Sequence, residues 1–252
     1  MNKDRASTLR DVTDPVRRAA RRLVAEASHG TLAYLSPQTG GPLVSRAALS
    51  TDGSGDPTIL VSTLSRHTGA MAADPRVALL IGEAGAGDAL AHARLSLEGT
   101  AVPVTQGTAE HVRIRRRFLA RRPESEVYVD FADFAFVRIV LTRASLNGGF
   151  ARAYDLDRSD LCVDVPADLA AGEADLVDRI NRGHGALLQT IATRDGRSAS
   201  SGWRVVTLDP RGFEMVAVLG DGCVEIRRLE FDRVIDRASD ILPAMSALAA
   251  PA

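Results

Sequence analysis

Apolar and polar residues alternate along several segments in the first two thirds of the chain. A period of two is typical of β-strands that bury one face, and clusters of glycine, proline and aspartate separate these segments as turns do. The pattern predicts strands over residues 31–35, 43–51, 58–62, 76–81, 94–104 and 134–143. The last strand is expected to continue over residues 144–153, past a pair of glycines. Because mostly tight turns and few helices connect the strands, the pattern favours a closed antiparallel barrel.

Helical patterns flank and interrupt these strands. Asp14 followed by Pro15 predicts a helix start, since an aspartate can cap a helix and a proline fits its first turn. An apolar stripe follows, and His29 with Gly30 is expected to end this helix. A short helix is predicted after residue 62, and a basic helix over residues 105–121.

The pattern changes again after residue 154, where the chain becomes polar and loses its periodicity. Helices are predicted over residues 169–181 and 186–192, a hairpin at 209–212, a strand from Cys223 and a final helix from Phe231. We therefore predict an α+β protein in which a barrel precedes a small α+β domain. The predicted divisions are a flexible N-terminus (1–13), the barrel domain (14–155), a linker (156–167) and the C-terminal domain (168–252).

Composition narrows the classes of partner and compartment. The chain is 45% hydrophobic and 25% charged, which is ordinary for a globular protein. A formal net charge of -1 provides no field to attract nucleic acid or an anionic membrane, so neither is an expected partner. No apolar run approaches the roughly 20 residues of a membrane span. Cys162 and Cys223 have no metal-like spacing and are expected to be free thiols of a cytoplasmic protein.

Known catalytic signatures are absent from the sequence. It contains no GxSxG, Walker, HExxH or CxxC motif, and its five histidines are isolated from one another. Nucleophilic hydrolysis and zinc catalysis are therefore not expected. No metal site is predicted, and the sequence identifies no catalytic side chain.

Anion-binding side chains concentrate where the strand over 58–62 passes into the next helix. Unpaired N–H groups and the helix dipole favour an anion there, and an arginine offers a planar fork to two oxygens. The predicted ligand group is a phosphate monoester. The residues of this cluster are Ser62, Thr63, Ser65, Arg66, His67 and Thr68. In the alternative interpretation, Ser65 or Thr68 only caps the helix, and Arg66 and His67 are solvated.

The strand over residues 43–51 is a candidate companion of this cluster. In an antiparallel barrel Arg46 can approach the cluster across a neighbouring strand pair. Ala47 and Ala48 are small enough for a flat ring to lie close to the strand backbone, whose polar groups can bind a ring edge. The alternative places Ala47 and Leu49 in the core and Arg46 at the rim.

The order of these segments resembles the pyridoxamine 5'-phosphate oxidase-like split-barrel flavoproteins. The resemblance lies in LVSRAALSTD, ILVSTLSRHT, ADPRVALLI and ARLSLEGTAVPV. The segment YVDFADFAFVRIVLTRASLNGGFARAYDL is similar to a subgroup that includes bacterial haem-utilisation proteins. The tail from Asp168 resembles a small domain of unknown function that follows such barrels. Across the whole resemblance, the most specific motifs are residues 65–68 and the Gly-Gly-Phe at 148–150.

The resemblance implies a six-stranded antiparallel split β-barrel and a homodimer with FMN at the subunit interface. Ser62 and Thr63 would lie beside the ring or the ribityl chain, and Arg66 with His67 would bind the phosphate. The residues that would line the flavin are Arg46, Ala47, Ala48, Leu49, Ser50 and Thr51. The implied function is an FMN-dependent oxidoreductase of a small-molecule substrate.

The chain departs from the true oxidases at informative positions. Their phosphate pair is Arg-Lys, whereas His67 stands second here. Their C-terminal arginine and tryptophan motif is not recognisable, since Trp203 falls in the predicted second domain. Oxidation of pyridoxamine 5'-phosphate is therefore not expected.

Two other functions remain open for the same fold. Haem is an alternative cofactor, because relatives in the subgroup bind or degrade it. Of their His-Met-Asn…Asp-His signature, however, the matching residues 179–184 retain only His184 of the two histidines. The other alternative is a flavin-binding protein without catalysis, used for sensing or carriage.

Overall fold

The computed structural model describes residues 9–149, 152–194, 200–220 and 224–250. The chain divides into two compact units. One comprises Met1–Phe118 with Glu124–Cys162, and the other comprises Leu119–Pro123 with Val163–Ala252. Phe150 of the Gly-Gly-Phe motif and Cys223, at the start of a predicted strand, lie outside the described residues.

A closed barrel of six antiparallel strands forms the first unit. The strands run in the order β3-β2-β1-β4-β5-β6, and pairing of β3 with β6 closes the barrel. The strands are β1 (His29–Leu35), β2 (Pro42–Thr51), β3 (Pro57–Ser62), β4 (Arg76–Ile81), β5 (Arg94–Pro103) and β6 (Phe134–Asn147). The predicted α+β chain with a six-stranded antiparallel barrel is confirmed.

The alternation of the strands explains how the barrel acquires its core. On β1, Leu32 and Tyr34 are buried, whereas Thr31, which precedes Leu32, is exposed. The same alternation on β5 buries Leu95 and Leu97 completely. These inward side chains form one continuous apolar cluster, whose burial is the main stabilisation of the barrel.

The chain reverses after β6, and the predicted continuation of that strand over residues 144–153 is wrong. A seventh strand, β7 (Ala153–Asp157), returns antiparallel and pairs with β6 from Asn147 to Arg143. Gly149 at the reversal has a φ of 98°, and a Cβ there would lie 2.7 Å from the carbonyl oxygen of Ala91. Only glycine fits both conditions without strain.

Four helices belong to the barrel region, and two begin or end differently from the prediction. They are α1 (Asp14–Glu26), α2 (Arg66–Ala73), α3 (Ala109–Arg121) and α4 (Arg158–Leu161). Thr13, not Asp14, is the N-cap of α1; Asp14 pairs instead with Arg17 at 2.9 Å. The helix ends before His29, because His29 and Gly30 already pair with β2.

The start of α3 lies four residues after the predicted one. The hydroxyl of Thr108 accepts a hydrogen bond from the backbone N–H of His111 (3.2 Å). This is the bond of a capping side chain, so the helix begins at Ala109 and residues 105–108 form the preceding turn.

Among its described residues, the second unit contains a three-stranded antiparallel sheet and the α-helices α5 to α7. The sheet has the order β10-β9-β8. The elements are α5 (Ala167–Gly183), α6 (Gly185–Thr193), β8 (Arg204–Asp209), β9 (Gly212–Val218), β10 (Val224–Glu230) and α7 (Ile241–Ala249). The helix predicted from Phe231 begins only at Ile241. The intervening segment instead bonds to the β8–β9 turn, through Phe231 N to Arg211 O and Ile235 N to Pro210 O.

None of the helices in the described part of the chain has the length and apolar character needed to cross a membrane.

Candidate functional site

The barrel is split between the first half of β2 and the end of β3. The ladder that joins these strands ends at Leu49 opposite Ile59. Beyond it, β2 pairs with β1 and the end of β3 pairs with β6. We call residues 46–48 of β2 and 60–62 of β3 the open seam. Within the described residues no strand ladder joins the two edges of the seam.

The structure separates the six residues that were predicted to line a flavin. Ala47 and Leu49 point into the barrel core, and Ser50 and Thr51 are also buried. Only Arg46, which is exposed, and Ala48, which is half-buried, present side chains at the seam. Any contact from the buried residues to a ring is therefore limited to their backbone.

The turn that connects β3 to α2 is held by hydrogen bonds that the sequence did not indicate. The Ser62 hydroxyl donates to Oδ2 of Asp133 (2.7 Å) and accepts from the backbone N–H of Leu64 (3.1 Å). The backbone N–H of Thr63 donates to the carbonyl of Asp133 (2.7 Å). The Thr68 hydroxyl donates to the carbonyl of Ser62 (2.6 Å). Ser62 and Thr68 thus stabilise the turn itself.

Other groups at the start of α2 remain free. Ser65 is the N-cap, but its side chain forms no capping hydrogen bond. In the part of the chain that the structure describes, the backbone N–H groups of Arg66 and His67 have no acceptor, and the exposed Arg66 guanidinium has no carboxylate partner. Two amides, a hydroxyl and a cation at one helix start are the donor set of an anion site.

His67 differs from the cation that the phosphate prediction assumed. Its half-buried imidazole lies against Tyr34, with the ring centroids 6.0 Å apart. Burial lowers the pKa of His67 below its ordinary value, because desolvation disfavours the charged form. Burial therefore favours the neutral imidazole, so Arg66 is the main source of positive charge at the turn.

Asp133 is the residue that sequence reasoning missed at this site. It belongs to the segment before β6 whose Phe134 lies opposite Ser62 in the β3–β6 ladder. The Asp-Phe sequence was part of the family resemblance, but no local pattern connects it to a turn 71 residues earlier. Only the barrel closure brings the two together.

Two further features involve other residues. A groove of about 470 Å³ is lined by residues of β1, β2, β4, β5 and β6 and by none of the predicted site residues, although Tyr34, which contacts His67, is part of its lining. His184 lies between α5 and α6 in the second unit. The described residues contain no group of three or more potential metal ligands.

Sequence comparison finds a plant relative of this chain. The non-canonical heme oxygenase HOZ of Arabidopsis thaliana, a chloroplastic protein, is 26% identical over 196 residues. The match covers 75% of this chain and 58% of that protein, so the chain spans little more than half the length of its relative.

Two solved structures share the fold over nearly the whole chain. A protein of unknown function from Agrobacterium tumefaciens superimposes with a TM-score of 0.76 at 23% identity, over 92% of this chain and 94% of the other. A heme binding protein from Mycobacterium smegmatis gives a TM-score of 0.52 at 23% identity, over 96% and 98%. At 23% identity these superpositions show a shared fold and nothing further.

A family model described as the CREG beta-barrel matches residues 13–161. The match extends from the start of α1 to the end of α4 and includes both edges of the open seam. The chain therefore belongs to the CREG beta-barrel family.

Proposed function

We propose that this protein binds FMN at the open seam, with the FMN phosphate at the start of α2. The main support is the exposed guanidinium of Arg66 beside the free N–H groups of Arg66 and His67. A phosphate monoester carries two charges and three acceptor oxygens, so it can accept from the guanidinium fork and from both amides together. The Ser65 hydroxyl and the neutral imidazole of His67 can add further hydrogen bonds.

The flat ring would lie along the seam, where among the described residues no strand ladder joins residues 46–48 to residues 60–62. Ala48 leaves room for close approach, and Arg46 places a positive charge beside the ring. Bound flavin would supply hydride and electron transfer, while the protein orients it and adjusts its electrostatic environment. We infer an oxidoreductase of a small molecule, distinct from a true pyridoxamine 5'-phosphate oxidase. We also propose that the protein belongs to the FMN-binding subgroup that is related to haem-utilisation proteins.

A homodimer with the cofactor at its interface is part of the proposal. Val44 is 66% exposed and Leu80 is 44% exposed. Both lie on strands that flank β1, because Val44 pairs with Ala33 and Leu80 pairs with Thr31. Large apolar side chains exposed on one sheet face are typical of association surfaces.

Light scattering of the wild-type protein should give the mass of two chains. Val44→Lys should lower the measured mass toward that of one chain. A wild-type protein with the mass of one chain would contradict the dimer.

Haem is the second candidate, supported by the names of the two haem-related relatives. Arg46 and Arg66 are both exposed and, among the described residues, have no carboxylate partner. Each of these cations could pair with one carboxylate of a haem. The role of His184 as an iron ligand is a separate prediction from the sequence and does not depend on the seam. Loss of a Soret band in His184→Ala would support it, and an unchanged band would remove this residue as the ligand.

Titration of the purified full chain separates these candidates. FMN, riboflavin and haemin are added separately, and binding is followed by absorbance and by flavin fluorescence. The proposal expects FMN to bind more tightly than riboflavin, because only FMN carries the phosphate. Absence of FMN binding at micromolar concentrations would contradict it. If FMN binds but no nicotinamide donor reduces it, a non-catalytic flavin protein would be favoured instead.

The cytoplasmic location of the protein remains a prediction.

A further inference from the structure

We propose that Asp133 is a positioning residue that holds the β3–α2 turn in the shape that leaves the start of α2 free for an anion. Asp133 contacts the turn twice. Its carboxylate accepts from the Ser62 hydroxyl (2.7 Å), and its backbone carbonyl accepts from Thr63 N–H (2.7 Å). The inference rests on the proposed anion site, but it concerns a residue outside that site's donor set.

The shape of the turn depends on hydrogen bonds because apolar contacts contribute little to it. Ser62 is the last residue of β3 to pair with β6, and Thr63 is exposed beyond it. Leu64 is 87% exposed and adds no core contact. In a segment with few apolar contacts, local hydrogen bonds determine the conformation.

The Ser62 hydroxyl is the link between Asp133 and the anion site. A hydroxyl has one proton and two lone pairs. Because the proton points to Asp133, a lone pair remains for Leu64 N–H, which lies 3.1 Å away. The Ser62 carbonyl also accepts from Ser65 N–H (3.0 Å) and from the Thr68 hydroxyl (2.6 Å). These bonds order the residues immediately before the free N–H groups of Arg66 and His67.

The charge of Asp133 opposes its positioning effect. A carboxylate near an anion site repels the ligand, so removing only the charge should strengthen FMN binding or leave it unchanged. Removing the acceptor should weaken FMN binding because the turn loosens. Asp133→Asn keeps an acceptor oxygen without the charge, whereas Asp133→Ala removes both, so the two variants separate the effects.

The first test measures the affinities of FMN and riboflavin for the full chain and both variants. Asp133→Ala should weaken FMN binding about tenfold, the scale of one hydrogen bond to a charged group, and leave riboflavin binding little changed. Asp133→Asn should retain FMN affinity. Ser62→Ala should resemble Asp133→Ala, and the double variant should lose less than the sum, since both changes break one bond.

The second test needs no ligand. Amide hydrogen exchange of Leu64, whose acceptor is the Ser62 hydroxyl, should accelerate in Asp133→Ala and remain slow in Asp133→Asn, while exchange at buried Leu95 on β5 stays unchanged as the control. Unaltered exchange in Asp133→Ala would overturn the inference. Faster exchange at Leu95 as well would mean that the fold itself is damaged and would also count against a local role.

The outcomes distinguish this inference from the proposed function. Wild-type protein that binds neither FMN nor haemin defeats the proposed function, and this inference with it. Wild-type protein that binds FMN no better than Asp133→Ala defeats only the role of Asp133. Equal losses of FMN and riboflavin affinity would also defeat it, because the turn lies at the phosphate end.

Discussion

Arg158 binds the carboxylate of Asp56 through both terminal nitrogens, with Nη2 2.8 Å from Oδ2 and Nη1 on Oδ1. Asp56 is completely buried at the end of the β2–β3 hairpin. Its Oδ1 also accepts from the backbone N–H of Leu141 on β6 (3.0 Å). One carboxylate therefore joins the hairpin, β6 and α4, immediately beside the point where the β2–β3 ladder begins.

Loss of this carboxylate should destabilise the barrel. Asp56→Ala leaves the buried Leu141 N–H without its acceptor, and an unsatisfied buried donor costs about 1–3 kcal/mol. Urea denaturation measures the free energy of unfolding. Exposed Asp155 on β7 provides the control, and Asp155→Ala should change that free energy by less than about 0.5 kcal/mol. Equal effects of the two substitutions would contradict the role of Asp56.

Ser50 and Thr58 lie opposite each other in the β2–β3 ladder, and both are buried. Within the described residues neither hydroxyl has a hydrogen-bond partner. A buried hydroxyl without a partner costs stability, so Thr58→Val should stabilise the protein by about 1 kcal/mol. Thermal unfolding should show a higher midpoint, with Thr31→Val on the exposed face of β1 as the control. A lower midpoint for Thr58→Val would indicate that its hydroxyl is satisfied.

The fold was largely predictable because its signals are local. Residues 76–81 form a mostly apolar run bounded by a proline and a glycine, and β4 has these bounds. The reversal after β6 was not predictable, since the need for a left-handed residue at Gly149 depends on Ala91 across the turn. The segment after Phe231 was mistaken for helix because its hydrogen bonds go to a distant turn at Pro210 and Arg211.

The candidate site was predictable only in its position along the chain. Hydroxyls and cations at residues 62–68 marked the turn, but the sequence could not show which of them were already engaged. Ser62 bonds to Asp133 through closure of the barrel. Burial of Ser50 and Thr51 likewise depends on the packed barrel and not on strand alternation alone.

FMN affinity should depend on pH through His67. Burial lowers the pKa of this imidazole in the free protein from the ordinary 6.5, and a nearby phosphate would raise it. Linkage then requires that binding takes up protons, so the affinity of wild-type protein relative to His67→Gln should increase as the pH falls through the pKa of His67 in the complex and level off below its pKa in the free protein. The phosphate titrates in both proteins, and the ratio of their dissociation constants removes its contribution. A ratio that does not change with pH would place His67 away from the phosphate.

The affinity of FMN for Arg66→Ala, compared with Arg143→Ala, tests the central claim most directly. Arg143 is an exposed arginine on β6 outside the seam, so its substitution should leave FMN binding unchanged. Arg66→Ala should weaken FMN by about 1.5–3 kcal/mol, or roughly 10- to 150-fold, the scale of a charge-assisted hydrogen bond. Riboflavin should bind both variants equally. Equal FMN affinities for the two variants would contradict a phosphate site at the start of α2.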